Sequence, residues 1–178
     1  MEEIENPTEK IHEELHEHAL HAHEGWISWV ALSAALLAAF AAITSLLAGH
    51  HANEAMIEQI KASDQWAYYQ AKGIKAATLG AKQDLLIALG KAPSDADRQK
   101  SEQYKQDQEN ISEKATELES SSAVHLSHHV IFARGVTMFQ VAIAIAAISV
   151  LTRRRRFWFV GLGFGAIGLF FLIEGMIR

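Results

Sequence analysis

Four consecutive arginines, Arg153 to Arg156, separate two long apolar runs and constrain the fold more than any other feature of the sequence. The runs extend from Val136 to Leu151 and from Phe157 to Ile173. Because guanidinium groups are costly in hydrocarbon, the arginines predict a tight polar turn, 153–156, between two membrane spans, 130–152 and 157–177. Cytoplasmic loops carry an excess of Lys and Arg, so we expect this turn to face the cytoplasm.

A third apolar run, 26–49, contains no charged residue and is long enough to cross a bilayer. Its flank is acidic and the run is too long for a typical signal peptide, so we expect it to remain as the first span. With the arginine turn inside, the N-terminus is then cytoplasmic and the segment between the first two spans extracytoplasmic. Small residues predict close helix packing, and they are Ala34, Ala38 and Ala42 in the first span and Gly161 and Gly165 in the third.

The segment 1–25 is acidic and rich in histidine, with Lys10 as its only basic residue. We interpret it as an amphipathic or disordered tail. The alternative is a metal-collecting or pH-sensitive tail, because His12 and His16 share a helix face at i, i+4.

The pattern of the polar segment 50–134 predicts a helical hairpin with its tip near 90–94. Gly90 suits the residue after a helix end, Pro93 stops a helix, and Ser94 with Asp97 resembles a capping box. We predict that two apolar stripes form the seam of an antiparallel pair, and that so thin a seam favours self-association. The first-arm stripe is Ile57, Ile60, Ala67, Ala71, Ile74, Ala81 and Leu85; the second-arm stripe is Tyr104, Ile111, Ala115, Leu118, Ser122 and His125.

The predicted fold class is therefore an all-α integral membrane protein with three transmembrane helices and a long hairpin between the first and second. The chain has no cysteine, which excludes disulfides and thiolate metal sites. The net charge of −5 gives no basic surplus for nucleic acid. Hydrolase, phosphate-loop and zinc-protease motifs are also missing from the sequence, so we expect neither an enzyme nor a resident cofactor.

Histidines outside the tail form the one candidate site. If the hairpin arms are equally long, the imidazoles collect near the outer membrane surface, where Zn²⁺ or Cu²⁺ would accept imidazole and carboxylate ligands. The alternative is that the histidines simply pack at the membrane interface, with Glu174 paired to Arg178. The candidate ligands are His50, His51, Glu54, His125, His128, His129 and Glu174.

Two stretches carry a family resemblance: ASDQWAYYQAKGIKA, 62–76, and IFARGVTMFQVAIAIAAISVLTRRRRFW, 131–158. They resemble an uncharacterised family of bacterial inner-membrane proteins known as domain of unknown function 4337. The resemblance covers nearly the whole chain. It implies a small multi-pass protein of the bacterial inner membrane with a helical middle, and brings no activity or catalytic residue.

We expect a non-enzymatic membrane scaffold whose hairpin self-associates or docks another membrane or envelope protein, with the lipid bilayer as its other partner. The alternative is a sensor of divalent metal or pH that uses the outer histidines. A small transporter or channel is the third hypothesis, and Gln140 and Glu174 are the only strongly polar groups in the spans that could serve it.

Overall fold

The computed structural model describes residues 25–178, and these residues form three α-helices. Helix α1 extends over Gly25–Ala88, α2 over Asp95–Leu151 and α3 over Arg155–Ile177. No strand occurs between residues 25 and 178, so the all-α prediction is confirmed for this part of the chain. The predicted N-terminal tail lies outside the described residues, apart from Gly25.

All three helices are long and apolar enough to cross a membrane. Their most apolar windows have mean hydropathies of 2.3, 1.9 and 2.0, respectively. Less than half of each window is buried inside the molecule, which leaves apolar surface that a bilayer would cover. These properties are those of a membrane protein.

The helices divide between two compact units. The apolar unit contains the described residues up to Ala52 together with Leu126–Arg178, and the polar unit contains Asn53–His125. Both α1 and α2 contribute to each unit, because each helix has one apolar and one polar part.

The core of the apolar unit consists of two clusters in which the helices meet. Near the start of α1, Trp26, Val30 and Ala34 pack against Ala146 and Val150 of α2. Near the other end of the unit, a second cluster joins all three helices through Ala48, Phe132 and Leu172. Small side chains at the contacts let the helices approach closely, as expected where packing rather than water exclusion drives association.

The connection between α2 and α3 is shorter than the predicted turn. Arg153 has φ of 52° and acts as the residue after the helix end, while its N–H bonds Val150 O at 3.1 Å and the Arg154 N–H bonds Ser149 O at 3.1 Å. This left-handed residue reverses the chain within a few residues. The predicted polar turn is thus present, but its bounds are corrected: Arg155 and Arg156 already belong to α3.

In the polar unit, the break between α1 and α2 has the two caps that the sequence predicts. Gly90 has φ of 73°, its N–H bonds Ile87 O at 2.9 Å, and the Lys91 N–H bonds Leu86 O at 2.8 Å. These are the two bonds of a Schellman motif. Ser94 Oγ then accepts the N–H of Asp97 at 3.2 Å, which caps the start of α2.

Contacts between α1 and α2 in the polar unit are mostly polar. Ser122 Oγ donates to Ala55 O at 2.8 Å, and Trp66 Nε1 donates to Glu119 Oε1 at 2.8 Å. The buried apolar residues of this unit are few and small on the α1 side: Ala55 and Ala62 of α1, with Ile111 and Ala115 of α2. On α2, the second-arm stripe is buried at Ile111, Ala115 and Ser122 and half-buried at Tyr104, Leu118 and His125.

The prediction that the first-arm stripe of α1 packs in the seam against α2 was wrong. Every residue of the first-arm stripe is exposed, with Ile60 at 56%, Ile74 at 69% and Leu85 at 61% of full exposure. The fully buried residues of α1 in this unit are instead small, Ala55 and Ala62, and a Cβ on Gly73 would already lie 3.0 Å from Gln108 Nε2. Bulky isoleucines would hold the helices apart, whereas alanine and glycine allow the polar contacts to form.

Candidate functional site

A group of stacked rings lies where α1, α2 and α3 meet at one end of the apolar unit. The His51 ring stacks on His128 with centroids 4.9 Å apart and on Phe132 with centroids 5.6 Å apart. His50 meets His51 edge to face at 5.5 Å. Phe132 is buried, whereas the imidazoles are at most half-buried. The stacked rings therefore extend from the apolar core to the polar surface.

Two histidines of α2 join that helix to both of its neighbours. His129 Nδ1 lies 2.9 Å from Ala48 O of α1, and His128 Nδ1 lies 3.3 Å from Gly175 O in the last turn of α3. Because a carbonyl only accepts, each Nδ1 must carry the hydrogen. Carbonyls in the last turn of a helix lack intrahelical donors, so His128 supplies one that α3 needs.

The structure places the candidate metal ligands in different surroundings. His50, His51, His128, His129 and Glu174 belong to the apolar unit, and Glu54 and His125 belong to the polar unit. Glu174 Oε1 pairs with Arg178 Nη2 at 3.2 Å, as in the alternative interpretation of that carboxylate. Between residues 25 and 178, no group of three or more His, Asp or Glu side chains is arranged to hold a metal ion.

Four of the five glycines of α3 lie against the chain's own helices, and the fifth, Gly163, is exposed. A Cβ on Gly161 would lie 3.0 Å from Ala142 O, and one on Gly165 would lie 2.7 Å from Leu37 Cδ2. Gly168 and Gly175 face Phe139 and Phe132 in the same way. The expected close packing is thus present within one copy, and these glycines are not a surface for another copy.

The alanines predicted as packing residues of α1 divide by depth. Ala34 is fully buried in the core, Ala38 is half-buried and Ala42 is exposed. The i+4 ridge therefore turns out of the helix contact along its length.

The other end of the apolar unit contains contacts that sequence reasoning missed. The Arg155 guanidinium lies 5.4 Å from the centroid of the Trp26 ring, a cation–π distance. Trp158 Nε1 donates to Ser33 Oγ at 3.0 Å, and Ser33 Oγ donates onward to Val30 O at 2.8 Å. The available signal was compositional: tryptophans and arginines gather at the predicted ends of the spans, where membrane interfaces favour them.

Polar groups inside the apolar unit mostly bond to their own helix. Thr44 Oγ1 donates to Phe40 O at 2.6 Å, and Ser149 Oγ donates to Ala146 O at 2.7 Å. Gln140 is exposed on α2, on the same face as Thr137. Buried hydroxyls therefore satisfy themselves locally, as membrane helices require.

Ion pairs in the polar unit hold α1 against α2. Lys72 Nζ lies 2.7 Å from Asp107 Oδ2, and this hydrogen bond raises the pKa of Lys72 above its ordinary value. The ammonium also lies 5.2 Å from the centroid of the Tyr68 ring and 5.5 Å from that of the Tyr104 ring. Nearer the break, Lys82 donates to both oxygens of Asp97 at 2.9 Å, and this bond with that of Ser94 lowers the pKa of Asp97.

Three apolar helical segments with small residues at their contacts, the first two joined along the chain by the charged segment Asn53–His125, define an all-α protein of the membrane class. The family model described as Domain of unknown function (DUF4337) matches residues 26–178, so the chain belongs to this family. No curated protein and no solved structure matches the chain.

Proposed function

We propose that the chain is a non-enzymatic membrane scaffold. Its three apolar segments anchor an antiparallel helical hairpin, and the hairpin presents a surface for association outside the membrane. The observation that carries the proposal is a contrast within α1 in the polar unit: the fully buried residues, Ala55 and Ala62, are small, while every residue of the first-arm stripe is exposed. A large exposed apolar surface on a soluble segment marks an association site.

Four contacts support the antiparallel arrangement of the arms. Along α1 from Ala55 through Trp66 and Lys72 to Lys82, the partners on α2 are Ser122, Glu119, Asp107 and Asp97 in turn. The partner therefore moves backward along α2 as the chain moves forward along α1. The break capped by Gly90 and Ser94 lies in the sequence between Lys82 and Asp97, the two residues of the last pair, where a hairpin would have its tip.

The proposed orientation in the bacterial inner membrane has the arginine turn in the cytoplasm and the hairpin outside. All four arginines are exposed, as a cytoplasmic positive cluster requires. Trp26, at the start of α1, lies under the guanidinium of Arg155, so the start of α1 shares the side of the turn. That neighbourhood supports a cytoplasmic N-terminus.

Reporter fusions test the orientation. An enzyme reporter that is active only outside the cytoplasm should be active when fused after Ala92 and silent when fused after Arg155. A reporter that requires the cytoplasm, fused at the same two positions, is the matched control and should give the opposite pattern. The reverse result at both positions would place the hairpin inside the cell.

The scaffold itself is tested by the native mass of the full chain in mild detergent and by chemical cross-linking in membranes. A scaffold should be recovered as an oligomer or with a bound protein. A monomer that cross-links to nothing would contradict this function whatever its orientation.

A sensor of divalent metal or pH is the second candidate, favoured by the hydrogen bonds of His128 and His129 to carbonyls. Histidines that bind metals commonly donate their second nitrogen to a carbonyl in this way, which orients the other nitrogen as a ligand. Here the Nδ1 atoms of both rings face carbonyls, so each Nε2 is the nitrogen that a neutral ring would offer to Zn²⁺ or Cu²⁺.

A further inference from the structure

The exposed first-arm stripe follows a coiled-coil period. From Ile57 to Leu85 its members are spaced alternately by three and four residues, with Asp64 and Thr78 occupying the two positions between the apolar ones. That alternation is the heptad pattern of the a and d positions of a coiled coil. At 1.5 Å per residue, the stripe extends over about 40 Å.

None of these side chains is needed to hold α1 against α2. Ile60 and Ile74 are 56% and 69% exposed, whereas the α1 residues on the opposite face, Ala55 and Ala62, are buried. A seam of period 3.5 fits a second helix that runs alongside and supercoils with it. The stripe therefore has the geometry of an unoccupied helix–helix seam.

Charges beside the stripe select the direction of the partner. Lys61 and Lys75 follow d positions and so lie at e positions on one edge, as does Lys82, whose charge is already paired with Asp97. The g positions of the other edge include Gln70 and Asp84 and no lysine. In a parallel pair each e edge faces the g edge of the partner, whereas an antiparallel pair of identical helices sets e against e. An antiparallel pair would therefore bring the lysine-bearing edges together, whereas a parallel pair sets each lysine-bearing edge against the edge without lysine. Electrostatic repulsion thus disfavours antiparallel self-pairing and leaves the parallel arrangement.

We infer that the first-arm stripe is a self-association surface, on which the same stripe of a second copy of this chain packs in parallel and in register. The inference rests on the proposed membrane scaffold, because copies inserted with one topology have their α1 helices parallel. In this arrangement, each copy places Ile60 and Ile74 against the same residues of the other. The occupant is accordingly a second copy rather than an unrelated helix.

Asp64 is the one charged residue within the stripe, and in a parallel register it faces its own copy. A polar residue at a single a position fixes register at a cost in stability. Asp64→Leu should therefore strengthen the association of the full chain by about tenfold or more, because it replaces a like-charge contact with an apolar one. Weaker association of this variant would overturn the parallel register.

Single-cysteine cross-linking tests the surface directly, because the chain has no cysteine of its own. In membranes that contain the full chain, Ile60→Cys and Ile74→Cys should each give a disulfide-linked product of twice the chain's mass under mild oxidation. Ile87→Cys is the matched control: this residue is also an isoleucine of α1 and is 61% exposed, but it lies on the far side of the helix from the stripe. It should cross-link at least about tenfold less, since facing core positions lie within disulfide reach and outward positions do not.

Charge substitutions provide a second measurement. Ile60→Lys with Ile74→Lys should weaken association by about a hundredfold or more, because two lysines would face their copies in the seam, while Ile87→Lys should leave it unchanged. The helical content of each variant, measured by circular dichroism, should equal that of the parent because the changed residues are exposed. This control separates lost association from lost folding.

The possible failures are distinguishable. An oligomer that persists without preferential cross-linking at Ile60 and Ile74 would overturn the stripe as the interface and leave the scaffold intact. A cross-linked product of some other mass would show a different protein on the stripe and overturn the second-copy occupant. A monomer in both measurements would overturn this inference together with the proposed function.

Discussion

Phe132 and Gly175 are in a contact that only glycine allows: a Cβ built on Gly175 would lie 2.6 Å from Phe132 Cε1. Both residues are buried, and the ring of His51 stacks on Phe132. The hydrogen bond from His128 to Gly175 O links the same helices. The absence of a side chain at one position of α3 thus determines how closely α2 and α3 approach.

Gly175→Ala should destabilise the apolar unit by about 1–3 kcal/mol, because its methyl group must displace an aromatic ring in a packed core. Gly163→Ala is the matched control, since a Cβ at Gly163 has open space around it within 4 Å. The control should be neutral or slightly stabilising because alanine favours helix over glycine. Thermal unfolding of the two variants in the same detergent compares them, and equal midpoints would contradict the packing described here.

Arg153→Gly should stabilise the connection between α2 and α3 by about 1 kcal/mol, because a left-handed residue with a Cβ costs about that much relative to glycine. The expected readout is a higher midpoint of thermal unfolding. Arg154→Gly is the control, since Arg154 has φ of −112° and gains nothing from glycine. A stabilisation by Arg154→Gly that matches that of Arg153→Gly would show that charge removal, rather than backbone strain, is responsible.

The break between α1 and α2 should loosen in acid. The pKa of Asp97 is lowered by its hydrogen bonds to Lys82 and Ser94, so the charged carboxylate stabilises the folded structure at this break. This contribution is present above the ordinary value of 3.8 and is lost as pH falls through the lower pKa of the folded state. The protection of the amides near Ser94 against hydrogen exchange, corrected for the intrinsic pH dependence of exchange, should therefore fall below about pH 4.

Asp97→Asn should lower that protection already at neutral pH and make it nearly independent of acid. The control is Asp95→Asn, which removes another carboxylate from the same first turn of α2. If Asp95→Asn abolished the acid response as fully as Asp97→Asn, the general charge of the helix start would be responsible instead.

Zinc titration distinguishes the metal sensor from the scaffold. In a full chain whose tail histidines are replaced by glutamine, a sensor should bind about one Zn²⁺ per chain or per contact between copies, and His128→Ala with His129→Ala should abolish this binding. Binding should also weaken in acid, because metal ligation needs neutral imidazoles. Weak binding that is insensitive to the double substitution would leave the two histidines as links between helices.

His125→Ala with His129→Ala is the informative companion variant for the titration. It combines one histidine of each unit, as the sequence-based ligand set does. Loss of zinc binding in both double variants would assign His129 to the site. Loss in the His125 variant alone would favour the ligand set that includes the polar unit.

Most of the helical architecture could be predicted from the sequence, because its signals are local. Gly90 and Ser94 cap helices by their own backbone and side-chain chemistry, and both perform the predicted roles. The arginine run predicted a turn over 153–156 between apolar helices, but α3 already begins at Arg155, inside the predicted turn. A boundary of this kind depends on which residue adopts a left-handed conformation, and composition does not specify that residue.

The candidate site was less accessible from the sequence. The histidines could be found by inspection, but their partners are carbonyl oxygens of Ala48 and Gly175, and every residue has a carbonyl. Gly175 itself had a usable signal, because it lies seven residues after Gly168, which lies seven after Gly161. That period places the three glycines on one face of α3, although it does not reveal that Phe132 and Phe139 face two of them.

The sequence by itself determined which segments are helical, which of them are apolar enough for a membrane, and that α1 has an apolar stripe in its polar half. Only the tertiary structure decided that this stripe stays exposed and that the small residues of the opposite face meet α2. Periodicity reports which side chains share a face of a helix. Whether that face is buried depends on how closely a second helix can approach, and alanine and glycine permitted a closer approach than isoleucine.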